Sequence, residues 1–175
     1  MKNTIKLFAI ALVMLTFAAD AAAQITKSAY AEATIISPLA FTKEVDMNFG
    51  NVAVINAIGT VVLSPASVRS STGGATPVAN PTGTVTAASF TVNGTPTAQI
   101  IVTLPASPPG INVIHTNGTD LMNVTTFVSN PATGFLLPAG GLQTLTVGAT
   151  LNTGASQLPG VYHTATDFNV TVNYQ

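Results

Sequence analysis

The sequence predicts an all-β protein whose mature part forms a single antiparallel β-sandwich of about nine strands. Turn-forming Gly, Pro and Asn residues recur at intervals of about ten residues, as they do between the short strands of sandwiches and barrels. Thr and Val, which favour strands, fill the segments between these turns. No amphipathic helical window of useful length appears beyond residue 23. An antiparallel sandwich accounts for all three observations.

The first 23 residues have the pattern of a helical secretory signal peptide. Lys2 and Lys6 precede the apolar run Leu7–Phe17, and three small alanines end at Ala23. We therefore expect cleavage between Ala23 and Gln24. A membrane anchor is the weaker interpretation, because a span needs roughly 20 apolar residues. The prediction is a protein of two parts, a signal peptide at 1–23 and a sandwich domain at 24–175, located in the periplasm, at the cell surface or outside the cell.

The composition of residues 24–175 limits the classes of function. These 152 residues are enough for one domain with one core, and the chain has no Cys to cross-link it. Charged residues make up 6% of the chain, against about 25% in an average domain. After cleavage three basic side chains face five acidic ones, a formal charge of −2. Nucleic-acid binding is excluded because no basic patch exists to neutralise phosphates.

The first strand is predicted at Ala29–Ile36, where residues alternate between two faces before Pro38. One face carries Ala29, Ala31, Ala33 and Ile35. These small residues suit packing beneath a sheet better than filling deep pockets. We therefore expect this segment to pair within its own subunit and complete the sandwich.

The next elements follow the turn residues. Met47–Ile55 is predicted as a strand with a bulge or bend at Gly50, and Gly59–Leu63 as another strand. Ser64–Gly83, which contains Gly73-Gly74, Pro77 and Pro81, is predicted as the longest loop.

Two Asn-Gly pairs predict hairpins in the middle of the chain. Asn93-Gly94 separates Thr84–Val92 from Ala98–Leu104, and Asn-Gly suits a type I′ turn because both central residues of that turn need positive φ. We therefore expect these two strands to be neighbours.

The second pair, Asn117-Gly118, separates Ile111–His115 from Leu121–Val128 across a longer connection. Alternation then predicts a strand at Leu142–Leu151, and Pro159-Gly160 turns the chain towards its final strand.

The final strand has the clearest alternation in the chain. Its polar positions are Asn169, Thr171, Asn173 and Gln175. The opposite face is apolar and is the predicted core face, formed by Phe168, Val170, Val172 and Tyr174. A chain that ends in such a strand has its C-terminus built into the fold.

Several short motifs occur in a characteristic order between about residues 29 and 175. They are AEATIISPLAF from Ala31, MNFG from Met47, GTVVL from Gly59, VGATL from Val147, GVY from Gly160 and VTVNY from Val170. In this order they resemble the bacterial domain-of-unknown-function 4402 (DUF4402) family. That family is similar to spore-coat-U-type and fimbrial subunits, which commonly end with an aromatic residue next to last. The resemblance implies an immunoglobulin-like, pilin-like sandwich with a role at the cell surface, and it brings no catalytic residues.

A search for catalytic, cofactor or metal sites in the sequence finds none. His115 and His163 lie far apart without a metal-binding spacing, and His163 with Asp167 fits the rim of a strand better than ligation. No Gly-x-Ser-x-Gly sequence is present for a serine hydrolase. Glu44 and Asp46 are two residues apart, but such a pair more often solvates a loop than performs glycosidase chemistry. We therefore predict a protein that is not an enzyme.

The favoured hypothesis is a secreted structural or adhesive subunit of a bacterial surface appendage or coat. It would act by self-association or by binding other surface subunits, with a chaperone as a further partner, and the mature form would not span a membrane. The alternatives are a monomeric adhesion or glycan-binding module, with Tyr30 and Tyr162 as candidate sugar platforms, and a small secreted hydrolase. If Ala29–Ile36 were instead donated to a neighbouring copy, the isolated domain would expose an apolar groove.

Overall fold

The computed structural model describes residues 25–175. The predicted signal peptide and its cleavage site, Ala23 and Gln24, lie outside the described residues. Within 25–175 there is no helix that could cross a membrane.

All regular structure in residues 25–175 is β-strand, and every pairing between strands is antiparallel. The strands are β1 (Ala40–Val45), β2 (Asn48–Phe49), β3 (Val52–Leu63), β4 (Arg69–Pro77), β5 (Val85–Thr86), β6 (Ala88–Asn93), β7 (Gln99–Thr103), β8 (Ile111–His115), β9 (Leu121–Asn130), β10 (Phe135–Leu136), β11 (Leu142–Thr153), β12 (Tyr162–Thr164) and β13 (Thr171–Tyr174). The predicted all-β antiparallel class is therefore confirmed. The strands number thirteen rather than about nine, because several of them are only two or three residues long.

The strands form one large sheet, one small sheet and an isolated pair. The large sheet has the order β1-β6-β11-β9-β8-β12, with β3 and β4 attached beside β11. The long strand β11 lies at its centre and pairs with β6 over its first half and with β3 over its second half. The small sheet has the order β10-β7-β13, and β2 pairs with β5.

One hydrophobic cluster joins the inner faces of the two sheets. The large sheet contributes fully buried residues such as Val92 and Leu145, and the small sheet contributes Ile100 from its central strand. Phe41 and Phe90 stack within this cluster with ring centroids 5.0 Å apart. Because both sheets bury apolar side chains in the same cluster, the arrangement is compatible with a sandwich.

The predicted strands beyond residue 84 match the structure closely. β8 has the predicted bounds Ile111–His115, and β9 and β11 begin at the predicted residues and run two residues further. The last segment alternates between exposed and partly buried residues from Asp167 to Gln175, although only Thr171–Tyr174 is paired as β13. The four apolar side chains of its inner face pack against the core; they are Phe168, Val170, Val172 and Tyr174.

The two Asn-Gly predictions have opposite outcomes. The hairpin around Asn117-Gly118 is confirmed, because β8 pairs with β9. Its turn is not type I′, since Gly118 adopts a φ of 82° but Asn117 does not adopt a positive φ. The hairpin around Asn93-Gly94 is wrong, because β6 pairs with β1 and β11, whereas β7 pairs with β10 and β13 in the other sheet. Each of these strands has a larger apolar surface to cover than a two-stranded hairpin could bury, so tertiary packing overrides the local turn preference.

The predicted loop Ser64–Gly83 contains a nine-residue strand, β4. β4 pairs with β3, which runs without a break through both the end of the predicted Met47–Ile55 strand and the predicted Gly59–Leu63 strand. The Arg69 guanidinium fixes the segment by donating hydrogen bonds of 2.8–3.0 Å to the carbonyl oxygens of Phe49, Asn51 and Val78. The Gly and Pro residues therefore mark a bulged edge strand rather than a mobile loop.

The predicted first strand at Ala29–Ile36 is not present. These residues have no regular structure and are all exposed, and the compact unit that contains all the strands begins at Ile36. The first strand is instead Ala40–Val45, for which no strand was predicted. Three alanines on the apolar face of Ala29–Ile36 bury little area, so alternation alone does not hold this segment on a sheet.

Candidate functional site

An open groove lies beside the C-terminal strand, between the edges of the two sheets. Its volume is about 640 Å³, and one wall is formed by residues 36–39 and Phe41. The other wall is Val170 and all four residues of β13. The groove therefore lies between the segment that leads into β1 and the strand that ends the chain.

Both strands beside the groove are edge strands. β1 pairs only with β6 in the large sheet, and β13 pairs only with β7 in the small sheet. An edge strand presents unpaired backbone donors and acceptors, which are a template for adding another strand. The groove thus combines apolar walls with free strand edges.

Tyr174 ties the two walls together at one end of the groove. Its hydroxyl donates a hydrogen bond of 2.9 Å to the Ser37 carbonyl oxygen and accepts one of 2.7 Å from the Thr95 N–H. A Cβ at Gly94 would collide with this hydroxyl, so a side chain at position 94 would have to displace it. The C-terminal strand is therefore anchored by a polar contact as well as by its apolar face.

The segment Ile25–Ile35 precedes the compact unit, and all its residues are exposed. Its large apolar side chains are almost fully accessible: Ile25 is 79% exposed, Tyr30 is 88% exposed and Ile35 is 96% exposed. Alternation would place Ala29, Ala31, Ala33 and Ile35 on one face of this segment if it became extended.

The two histidines are not brought together. His115 is buried at the end of β8, where its Nδ1 accepts a hydrogen bond from the Asn117 N–H and its Nε2 donates to the Pro159 carbonyl oxygen. His163 is exposed on β12. Tyr162 packs edge-on against His115, and its hydroxyl donates to the Leu158 carbonyl oxygen, which makes it a structural residue of this corner rather than a free sugar platform.

The neighbouring acidic residues Glu44 and Asp46 differ in their contacts. Asp46 accepts a hydrogen bond of 2.7 Å from the Lys43 ammonium, and this bond together with the charge of Asp46 raises the pKa of Lys43. Glu44 is exposed on β1. Among residues 25–175 no three His, Asp or Glu side chains are close enough to hold a metal ion.

The first wall of the groove was not predicted from the sequence. Pro38 was interpreted as the end of a strand, whereas it leads into one, and Leu39 and Phe41 pack against the core just after it. The available signal was the pair of apolar residues Leu39 and Phe41, two positions apart directly after the proline. A Pro at the start of an edge strand is compatible with this position, because its missing N–H is not needed there.

Comparison with known proteins identifies one family. The family model described as "Domain of unknown function (DUF4402)" matches residues 39–174, which is most of the chain. The match begins within the first groove wall and ends at Tyr174. No curated protein and no solved structure matches the chain.

Proposed function

The chain belongs to the DUF4402 family, and from the geometry of its two ends we propose that it is a non-enzymatic structural subunit of a bacterial surface appendage or coat. Copies join when the N-terminal segment of one subunit adds as a strand beside β13 of the next. The observation that carries this proposal is that one chain has both an exposed, alternating segment before Ile36 and, in the unit that follows, an open groove beside a strand edge.

Strand addition supplies affinity through the backbone. The free edge of β13 offers hydrogen-bonding groups to any extended segment that reaches it, and side chains on alternate positions of that segment set the register. Residues 29–35 have the alternation that this requires, with Ala29, Ala31, Ala33 and Ile35 facing the groove. Thr34 and Glu32 then face solvent.

Burial of the apolar side chains adds to that affinity. Ile35 is 96% exposed in the isolated chain, and burying a side chain of its size contributes about 1.5–3 kcal/mol. The alanines contribute less but allow close approach to the groove walls. The low charge of the surface also favours association, because neighbouring copies repel each other little.

Export to the cell surface is supported by the signal-peptide pattern of residues 1–23. A long-lived exported subunit also benefits from having no free thiol to oxidise, and the chain contains no Cys.

The test is the association state of the purified mature protein, measured by sedimentation velocity over a wide concentration range and by electron microscopy. We expect concentration-dependent oligomers or fibres. Deletion of residues 25–35 should yield monomers, and a synthetic peptide of residues 25–36 should bind the deleted protein and raise its melting temperature in proportion to its occupancy.

A matched pair of variants distinguishes strand addition from non-specific hydrophobic association. Ile35→Asp places a charge on the face that enters the groove, whereas Thr34→Asp places the same charge on the opposite face one residue earlier. We expect Ile35→Asp to abolish association and Thr34→Asp to leave it nearly unchanged. A mature protein that stays monomeric at every concentration would contradict the proposal and favour the monomeric adhesion module, which a glycan array tests directly.

A further inference from the structure

The two Asn-Gly sequences of this protein lie in very different backbone environments. Both asparagine side chains are exposed, so solvent access does not distinguish them. Asn93 ends β6 and is paired on both sides, with Ala40 and Leu142. Asn117 lies in the connection between β8 and β9, outside the strand ladder.

We infer that Asn117 is a site of spontaneous deamidation and isomerisation, and that Asn93 is protected from the same reaction by the fold. In this reaction the Gly118 amide nitrogen bonds to the Asn117 side-chain carbon Cγ, and the bond from Cγ to Nδ2 breaks. The proton of the Gly118 amide leaves with Nδ2 as ammonia. Water then opens the succinimide ring at either carbonyl and leaves aspartate or isoaspartate at position 117.

The contacts of the Asn117 side chain prepare it for attack. Its Oδ1 accepts hydrogen bonds from the backbone N–H groups of Thr119, at 3.0 Å, and Asp120, at 3.3 Å. Two donors on a carbonyl oxygen polarise its carbon and stabilise the negative charge that develops during addition. The departing Nδ2 donates a hydrogen bond of 2.6 Å to the Asp120 carboxylate, which is placed to exchange protons with it.

The attacking residue is also unhindered. A Cβ at Gly118 would meet no atom within 4 Å, so its surroundings leave room for the ring to close. The hydrogen bond from the Gly118 N–H to the His115 carbonyl oxygen, 2.8 Å long, must open first. It belongs to an exposed turn, where such opening is frequent.

At Asn93-Gly94 the same step requires local unfolding of the core. Gly94 is buried, its N–H donates to the Gly141 carbonyl oxygen at 2.9 Å, and the Tyr174 hydroxyl lies directly against it. The backbone of Asn93 would have to leave two strand partners before a ring could form.

The product would loosen the β8–β9 turn. Aspartate at 117 replaces an amide donor by a second carboxylate facing Asp120, and two like charges at hydrogen-bond distance repel each other. Isoaspartate lengthens the backbone, so the Asn117 N–H would no longer reach the His115 Nδ1 that it now contacts at 3.0 Å. The buried His115 would then lose one of its two partners.

The test is incubation of the purified protein at mildly alkaline pH, followed by peptide mapping that separates aspartate, isoaspartate and asparagine at both positions. In the folded protein we expect conversion at 117 to exceed conversion at 93 by on the order of tenfold or more, because the strand pairing of Asn93 must open before its ring can close. In urea the two rates should converge, since the dipeptides are identical. Equal rates in the folded protein, or no product at 117 over a time that converts the unfolded chain, would overturn the inference.

Two variants test the consequence. Asn117→Asp should lower the melting temperature and speed proteolysis of the β8–β9 turn, and the double variant Asn117→Asp/Asp120→Asn, which restores an amide opposite a carboxylate, should recover most of that loss. An Asn117→Asp protein that melts like the parent would overturn the proposed effect on the turn.

Discussion

The two ends of the described chain carry the same kind of pattern and reach opposite outcomes. Residues 29–35 and residues 168–174 both alternate with a period of two. The C-terminal segment packs four side chains on the core and pairs with β7, whereas the N-terminal segment is exposed at every residue. Alternation therefore defines which side chains share a face, but it does not supply the neighbour that the face needs.

The difference lies in the size of the side chains and in what they contact. The C-terminal face consists of Phe, two Val and Tyr, and the Tyr174 ring alone can bury on the order of 150 Å² or more. The N-terminal face has three alanines and one isoleucine. Ordering a residue costs about 1–2 kcal/mol of backbone entropy, which an alanine does not offset by its own burial. The N-terminal segment needs a partner edge to become a strand.

The largest expected effect is at Tyr174. Tyr174→Ala should lower the free energy of unfolding by about 3 kcal/mol, because it removes a partly buried ring and both hydrogen bonds of its hydroxyl. The thermal midpoint should fall by roughly 6–12 °C. The matched control is Asn173→Ala, on the exposed face of the same strand, which should cost less than about 0.5 kcal/mol. A midpoint within a degree or two of the parent would show that the terminus is frayed and that the two ends do not differ.

A smaller effect isolates the polar part of the anchor. Tyr174→Phe keeps the ring but removes the hydroxyl that the Thr95 N–H donates to and that donates to the Ser37 carbonyl oxygen, so we expect a loss of about 1–2 kcal/mol in urea unfolding. If this variant is as stable as the parent, water replaces the hydroxyl and the groove end is held by packing alone.

Gly94→Ala tests the same contact from the other side. The new Cβ would displace the Tyr174 hydroxyl, and we expect a cost of about 1 kcal/mol, comparable to the hydrogen bonding that is lost. In a double-mutant cycle the substitution should cost less when position 174 is Phe, because the colliding atom is then absent. Additive costs would indicate that Gly94 is required for its backbone rather than for the hydroxyl.

The smallest effect is expected at the other end. Deletion of residues 25–35 should change the stability of the dilute, unassociated protein by no more than about 0.5 kcal/mol, since none of these residues is buried. Denaturant unfolding of the deleted and complete proteins, at equal low concentration, measures this directly. A loss well above that value would show that the segment completes the fold of its own subunit, as its alternating pattern predicts.

The secondary structure of the second half of the chain could be predicted from the sequence because its strands carry large alternating side chains. β8, β9 and β11 were located to within two residues, and the exposed and buried faces of residues 167–175 follow the pattern of the sequence. The turn at Asn117-Gly118 was also predictable, since it joins strands that are adjacent in the sheet. Here local and tertiary preferences agree.

Predictions failed where local preference and tertiary pairing disagree. Asn93-Gly94 has the same residues as Asn117-Gly118, but β6 and β7 enter different sheets, and nothing in either dipeptide specifies which sheet a strand joins. The groove was missed for the same reason, since its walls are 129 positions apart in sequence at their nearest, from Phe41 to Val170, and meet only through packing.

The sequence by itself determined the all-β class, the location of the strongest strands and the polarity of their faces, because these depend on the local period and size of side chains. The tertiary structure decided which strands pair, which end of the chain belongs to the domain and where the edges remain open. Those outcomes depend on non-local contacts, in which a strand takes the neighbour that buries the most apolar surface and satisfies the most backbone groups.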